Sequence, residues 1–262
     1  MNPLRRALLA AAATGALCGP LAPAVKAQRL RRIGYFGVTP SDADTTRRTL
    51  ELFRTGLREQ GLVESLARPG GNVTGVTNVL PALSGKLLEL AREIGPGTSR
   101  VAVMWNPDNP AKTLELHELQ AAAQRSRIAL SLRPARTAAE IDAALADLGG
   151  LGVQFLVTLS ETLTHQYRTR IAELALAARM PSVSNHAPQV EAGGLVAYAP
   201  DYALLNRRLG DLAGRILGGE QPATLPVEQP TNFELVVNLR TARSLGLKIP
   251  QSVLLRANRV IE

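Results

Sequence analysis

The sequence is poor in cysteine, in aromatic side chains and in clustered histidine. Its one cysteine, Cys18, lies in an N-terminal segment that reads as removable, so the mature chain is expected to hold no thiol. Disulfides and cysteine nucleophiles are then excluded. Aromatics make up 3% of the chain, too few to stack a run of bases. No block of five like charges offers a basic tract, so no nucleic-acid partner is expected. His117, His165 and His186 stand far apart and match no H-E-x-x-H or comparable spacing, which argues against a metal site. Nor is there a G-x-S-x-G elbow. Gly70-Gly71-Asn72-Val73-Thr74-Gly75 lacks the ending of a phosphate loop and the dinucleotide glycine spacing, and reads as a tight turn into a strand. No cofactor and no enzymatic activity are expected.

What is present is a chain of 262 residues, 45% hydrophobic, enough for one large domain or two small ones. Arg5 and Arg6 precede a short apolar run, Ala7 to Leu17, and then Val25-Lys26-Ala27. This is the pattern of a secretory signal cleaved after Ala27, with an apolar run too short to span a bilayer. Arg5-Arg6 weakly matches a twin-arginine signal, and Cys18 behind the bulky Leu17 is a poor lipidation site. Loss of Arg5, Arg6 and Lys26 lowers the net charge from +8 to +5. A soluble, monomeric protein of the periplasm is expected.

The chain then alternates. Ile33–Val38 reads as a strand before the polar loop Thr39-Pro40-Ser41-Asp42, and Leu50, Phe53 and Leu57 follow at helical spacing. Val73–Thr77 reads as a second strand. Leu87, Leu90, Ala91 and Ile94 mark a helix with Ser84 as its N-cap. Val101–Trp105 is a strand ending in Asn106-Pro107-Asp108-Asn109-Pro110, where Asn109 is placed to cap a helix and Pro110 to open it. Further strands are read at Ile128–Leu132, Val153–Leu159, Ser182–Ser184, Leu195–Tyr198 and Phe233–Val237. Helix faces fall at 114–123, 141–148 (with a Thr137/Glu140 capping box), 167–178, 205–216 and 241–245. Strand, helix, strand is the order of a doubly wound parallel α/β fold, which binds small ligands at the carboxyl ends of its strands.

Strand-end residues are therefore the ligand-binding candidates: Thr39, Ser41, Trp105, Asn106, Asn109, Ser160, Asn185, His186, Tyr198 and Asp201. Trp105 reads equally as core or as a platform for a ring, and His186 equally as a solvated loop residue. Asp108, Glu161 and Asp201 form either an acid/base set or helix caps, with caps preferred for Asp108 and Glu161.

Several stretches together resemble one family: I-G-Y-F at 33–36, R-P-G-G-N-V-T-G-V-T at 68–77, V-A-V-M-W-N-P-D-N-P at 101–110 and L-P-V-E-Q-P-T-N-F-E-L-V-V-N-L-R-T-A-R-S-L-G at 225–246. They are similar to the substrate-binding proteins of ABC transporters, in an uncharacterised branch of amino-acid type. The resemblance implies a type I periplasmic-binding fold with two α/β lobes, a small solute in the cleft and a permease in the inner membrane as partner. Its lobes would be 28–80 with 196–219, and 81–195 with 220–262. Unlike family members, this chain runs from Gly61-Leu62-Val63-Glu64 directly into Ser65-Leu66-Ala67-Arg68. About two βα units, each on the order of 30 residues, are missing there, which truncates the first lobe. A degenerate member that binds no solute and an exported hydrolase are the alternatives.

Overall fold

The computed structural model describes residues 67–76 and 80–262. The expected signal segment, Thr39, Ser41, the strand expected at Ile33–Val38 with the helix expected after it, and the junction after Glu64 lie outside the described residues. The described part is built on one seven-stranded sheet. The first helix, α1, is Leu80–Ile94, and it leads into β1, Arg100–Trp105. After it come α2 (Pro110–Ser126), β2 (Ala129–Pro134), α3 (Ala138–Ala146) and β3 (Phe155–Thr158). The chain continues through α4 (Thr162–Gln166), α5 (Arg168–Ala177), β4 (Ser182–Ser184), α6 (Ala187–Glu191) and β5 (Val196–Pro200). It ends with α7 (Tyr202–Gly218), β6 (Phe233–Asn238), α8 (Leu239–Leu245), α9 (Gln251–Arg256) and β7 (Arg259–Ile261).

The strand order is β2-β1-β3-β4-β5-β6-β7, parallel throughout except for the antiparallel β5–β6 pair. β1 is R-V-A-V-M-W with four consecutive buried residues, because helices cover both faces of a parallel sheet. On one face Leu87, Leu90 and Ala91 of α1 and Leu119 and Ala123 of α2 pack on Val101, Val103 and Val157. On the other, Ile141, Leu145, Ile171 and Ala175 pack on Ala102, Met104 and Leu156. From β1 the chain moves outward to β2 and then returns past β1 to β3. That reversal opens a crevice at the carboxyl ends of β1 and β3.

Local signals behave as expected where they are complete. Asn109 caps α2 by accepting from the Ala111 amide, with Pro110 in the first turn. Thr137 caps α3, although Glu140 turns back to the Arg136 amide rather than closing the box on Thr137. Glu161 caps α4, as preferred.

Other expectations are corrected. Ser84 does not cap a helix: α1 begins at Leu80, and Ser84 is buried inside it, donating to the Glu115 carbonyl oxygen at 3.3 Å. Asp108 does not cap α2; it lies 3.4 Å from the Arg136 guanidinium, one residue too early for the cap. The helix expected over 167–178 is preceded by a separate turn, α4. Val73–Val76, the described part of the strand expected over Val73–Thr77, does not enter the sheet. Within it, Val76 forms a single bridge with Glu228, and Thr74 donates to the Leu225 carbonyl at 2.7 Å. Pro222, Pro226 and Pro230 on that partner segment carry no N–H, so no ladder extends. Leu195–Tyr198 does not belong to a separate first-lobe sheet: β5 sits between β4 and β6 and is buried at four of its five residues.

Candidate ligand-binding site

The carboxyl ends of β1, β3, β4 and β5 lie along one edge of the sheet, because these four strands are parallel. That edge collects Trp105 and Asn106 after β1, Ser160 after β3, Asn185 and His186 after β4, and Asp201 after β5.

Asn106 is buried, donates to Glu161 Oε1 at 3.4 Å and accepts from the Asp108 amide at 3.0 Å. It thus ties the β1 loop to the β3 loop. Ser160 is buried and its amide donates to Asn185 Oδ1 at 3.0 Å, which ties β3 to β4. The Ser160 Oγ, His186 Nδ1 and Trp105 Nε1 atoms are buried without a hydrogen-bond partner among the described residues. Buried polar atoms are nearly always paired, so unpaired ones gathered at one strand edge are places where a ligand can bond.

Rings line the same edge. His186 meets His165 edge-on at 4.9 Å and Tyr202 edge-on at 5.5 Å. Burial holds the His186 imidazole down to about 4, helped by His165 and Arg168, so it is neutral at pH 7. Burial also raises the Tyr202 phenol, and the Glu115 charge adds to this.

Some candidates are engaged within the fold. Asn109 spends its side-chain oxygen on the α2 cap. Asp201 Oδ1 accepts from the Leu204 amide at 2.9 Å, so the carboxylate caps α7 and keeps acceptor capacity on its other oxygen. Tyr198 lies mid-strand in β5 and stacks on Phe233 at 5.6 Å between centroids. His117 is exposed on α2.

The structure adds side chains that were not singled out in the sequence. Lys112 and Glu115 are buried on α2 and form an ion pair, and Asn185 Nδ2 donates to Glu115. Burial pushes the Glu115 carboxyl up, while Lys112 and the hydrogen bonds pull it back. A Lys-x-x-Glu spacing on a helix normally reads as a solvated face. Only the run of Leu116, Leu119, Ala122 and Ala123 on the same helix hinted at which side is inside. Tyr202 and His165 also went unselected; each follows a strand-end polar residue by one to five positions. Among the described residues no group of three His, Cys, Asp or Glu is placed to hold a metal, and no helix is long and apolar enough to cross a membrane.

The family model described as ABC transporter substrate binding protein matches residues 55–261. A tyrosine-binding protein of Clostridioides difficile (strain R20291) is 25% identical over 190 residues, 72% of this chain. The chain spans 54% of that curated relative's length. A conserved domain protein from Vibrio cholerae superposes with a TM-score of 0.69 at 28% identity, covering 76% of this chain and 66% of that one. The fold also matches an ABC domain in complex with L-Trp from Streptococcus pneumonia, with a TM-score of 0.69 at 24% identity, covering 78% and 70% of the two chains.

Proposed function

The chain belongs to the ABC transporter substrate binding protein family, and from that membership we propose that it is the periplasmic solute receptor of an importer, with an amino acid bearing an aromatic ring as its ligand. In this proposal the strand edge is one wall of an interlobe cleft. The first lobe is the part shortened after Glu64, and the protein hands its solute to an inner-membrane permease. The observation that carries the reading is the convergence, on one sheet edge, of unpartnered buried polar atoms with ring edges. Ser160 Oγ and Trp105 Nε1 supply donors for a carboxylate. The remaining oxygen of Asp201 is an acceptor for an ammonium. The edges and faces of the uncharged His186 and Tyr202 rings give a surface for an aromatic side chain. Relatives named for tyrosine binding and solved with L-Trp support the ring preference. A hydrolase is the second reading, but Ser184 Oγ meets His186 only at its backbone carbonyl and amide, so that serine and that ring form no nucleophile–base pair.

The test is ligand-observed NMR at millimolar L-tyrosine, L-tryptophan, L-alanine and D-glucose. Contact signals from the two aromatic amino acids, weaker ones from alanine and none from glucose are expected. Ser160→Ala should weaken the aromatic ligands by about tenfold or more, the cost of one hydrogen bond to a charged group. Preferential binding of glucose, or identical signals from all four, would sink the assignment.

A further inference from the structure

Behind the strand edge lies a polar group with no direct place in the ligand contacts above. Lys112 and Glu115 pair inside α2 with side chains 5% and 1% exposed. Asn185 is fully buried, donates through Nδ2 to Glu115 Oε1 and accepts through Oδ1 from the Ser160 amide. Buried ion pairs contribute little net stability, since desolvation offsets their attraction. Their value lies in fixing geometry, and here the geometry is specific. An ionised carboxylate only accepts hydrogen bonds, so the NH2 of Asn185 must face Glu115. The amide plane then leaves Oδ1 facing the Ser160 N–H. The reversed amide would set oxygen against carboxylate and NH2 against N–H, two repulsive contacts. The Lys112 ammonium beside Glu115 favours the anionic carboxylate, working against burial, which raises the carboxyl.

We propose that Asn185 is a positioning residue of the ligand edge, oriented by the Lys112–Glu115 pair and holding the Ser160 backbone so that its hydroxyl is presented to the solute. The relay runs from helix α2 through the end of β4 to the end of β3. Glu115 is braced from behind as well, where Ser84 of α1 donates to its carbonyl oxygen. The role rests on the receptor reading for its purpose, but the relay itself can be tested without any ligand.

The test is amide hydrogen exchange by NMR on the full chain, read as protection factors for Ser160 and for Leu156 and Val157 of β3. Asn185→Ala should lower the Ser160 protection factor by about tenfold or more and leave Leu156 and Val157 near wild type. Asn185→Asp keeps an acceptor for the Ser160 amide but sets a second carboxylate against Glu115. Two facing carboxylates hold a shared proton at acid pH and lose it as pH rises. That variant should protect Ser160 at pH 5 and fail to do so at pH 8, whereas Asn185→Ala fails at both. If Asn185→Ala does not fold, the pH dependence of Asn185→Asp decides alone. Unchanged Ser160 protection, or a loss shared equally by Leu156 and Val157, overturns the relay. In parallel, L-tyrosine should bind Asn185→Ala about tenfold more weakly than wild type. Absence of any amino-acid binding by the wild-type chain would overturn the receptor reading and leave the exchange result to judge the relay.

Discussion

Among the described residues His186 carries the clearest pH signature. Its ring is wedged between His165 of α4 and Tyr202 of α7, with Arg168 of α5, Lys112 of α2 and Glu191 of α6 as its charged surroundings. Folding lowers its pKa to about 4 from the ordinary 6.5 of a free imidazole, chiefly through burial. Below pH 6.5 the unfolded chain takes up a proton that the folded chain refuses. Stability from this group is therefore complete above pH 6.5, falls as pH drops toward 4 and then levels off. The full difference is about 3 kcal/mol. Glu115 acts in the opposite sense: its raised carboxyl gives the folded chain extra affinity for a proton, which favours folding as pH falls through the folded value. A total titration mixes the two, so His186→Gln isolates the imidazole. Melting temperatures of wild type and variant, measured from pH 7.5 to 4, should converge as the pH falls, with wild type losing more. Parallel curves would show that His186 is not held neutral.

At the scale of elements, α2 and the turn into β5 are the sharpest tests of local chemistry. Asn109→Ala removes the α2 cap and should lower stability by about 1 kcal/mol in urea unfolding, with an unchanged slope. Gly194 has no such slack. A Cβ there would meet the Gln189 carbonyl oxygen at 2.8 Å, a backbone atom that cannot swing aside. Gly194→Ala should cost about 1–3 kcal/mol. A smaller effect than that of Asn109→Ala would mean the turn relaxes. These elements also mark what the sequence made legible. Strands β1, β3 and β6 stand out because apolar runs of strand length are bounded by polar loops. Helices α2 and α3 stand out because their caps are local. Ser84 misled because a serine before an apolar stripe looks like a cap, and only packing against α2 reveals that the helix started a turn earlier. The place of β5 in the sheet was illegible because its partners, β4 and β6, are chosen by long-range pairing. Lys112 and Glu115 were illegible for a similar reason: their burial depends on Asn185, 70 residues away from Glu115. Of the strand-end candidates among the described residues, Trp105, Asn106, Ser160, Asn185, His186 and Asp201 share one edge, since a parallel sheet aligns such ends whatever the loops contain.

For the whole molecule the decisive quantity is how much of a two-lobed cleft this chain can build. A receptor of this kind closes because its solute touches both lobes, and its affinity reflects the extra contacts of the closed state. The described residues supply one sheet edge with its own donors, acceptors and rings. The segment expected after Glu64 would supply part of the facing wall, and the chain spans 54% of its curated relative. Each hydrogen bond lost to a charged ligand group removes about 1.5–3 kcal/mol. Two such losses weaken binding by roughly two to four decades. Calorimetry with L-tyrosine or L-tryptophan should therefore find binding weaker than micromolar. Inserting two family-typical βα units after Glu64 should restore affinity, and Asp201→Ala in that restored chain should remove most of it. Submicromolar binding by the unmodified chain would show that the cleft is complete without those units. A restored chain that folds with the melting temperature of the original yet binds no better would show instead that the strand edge, rather than the proposed shortening of the first lobe, limits recognition.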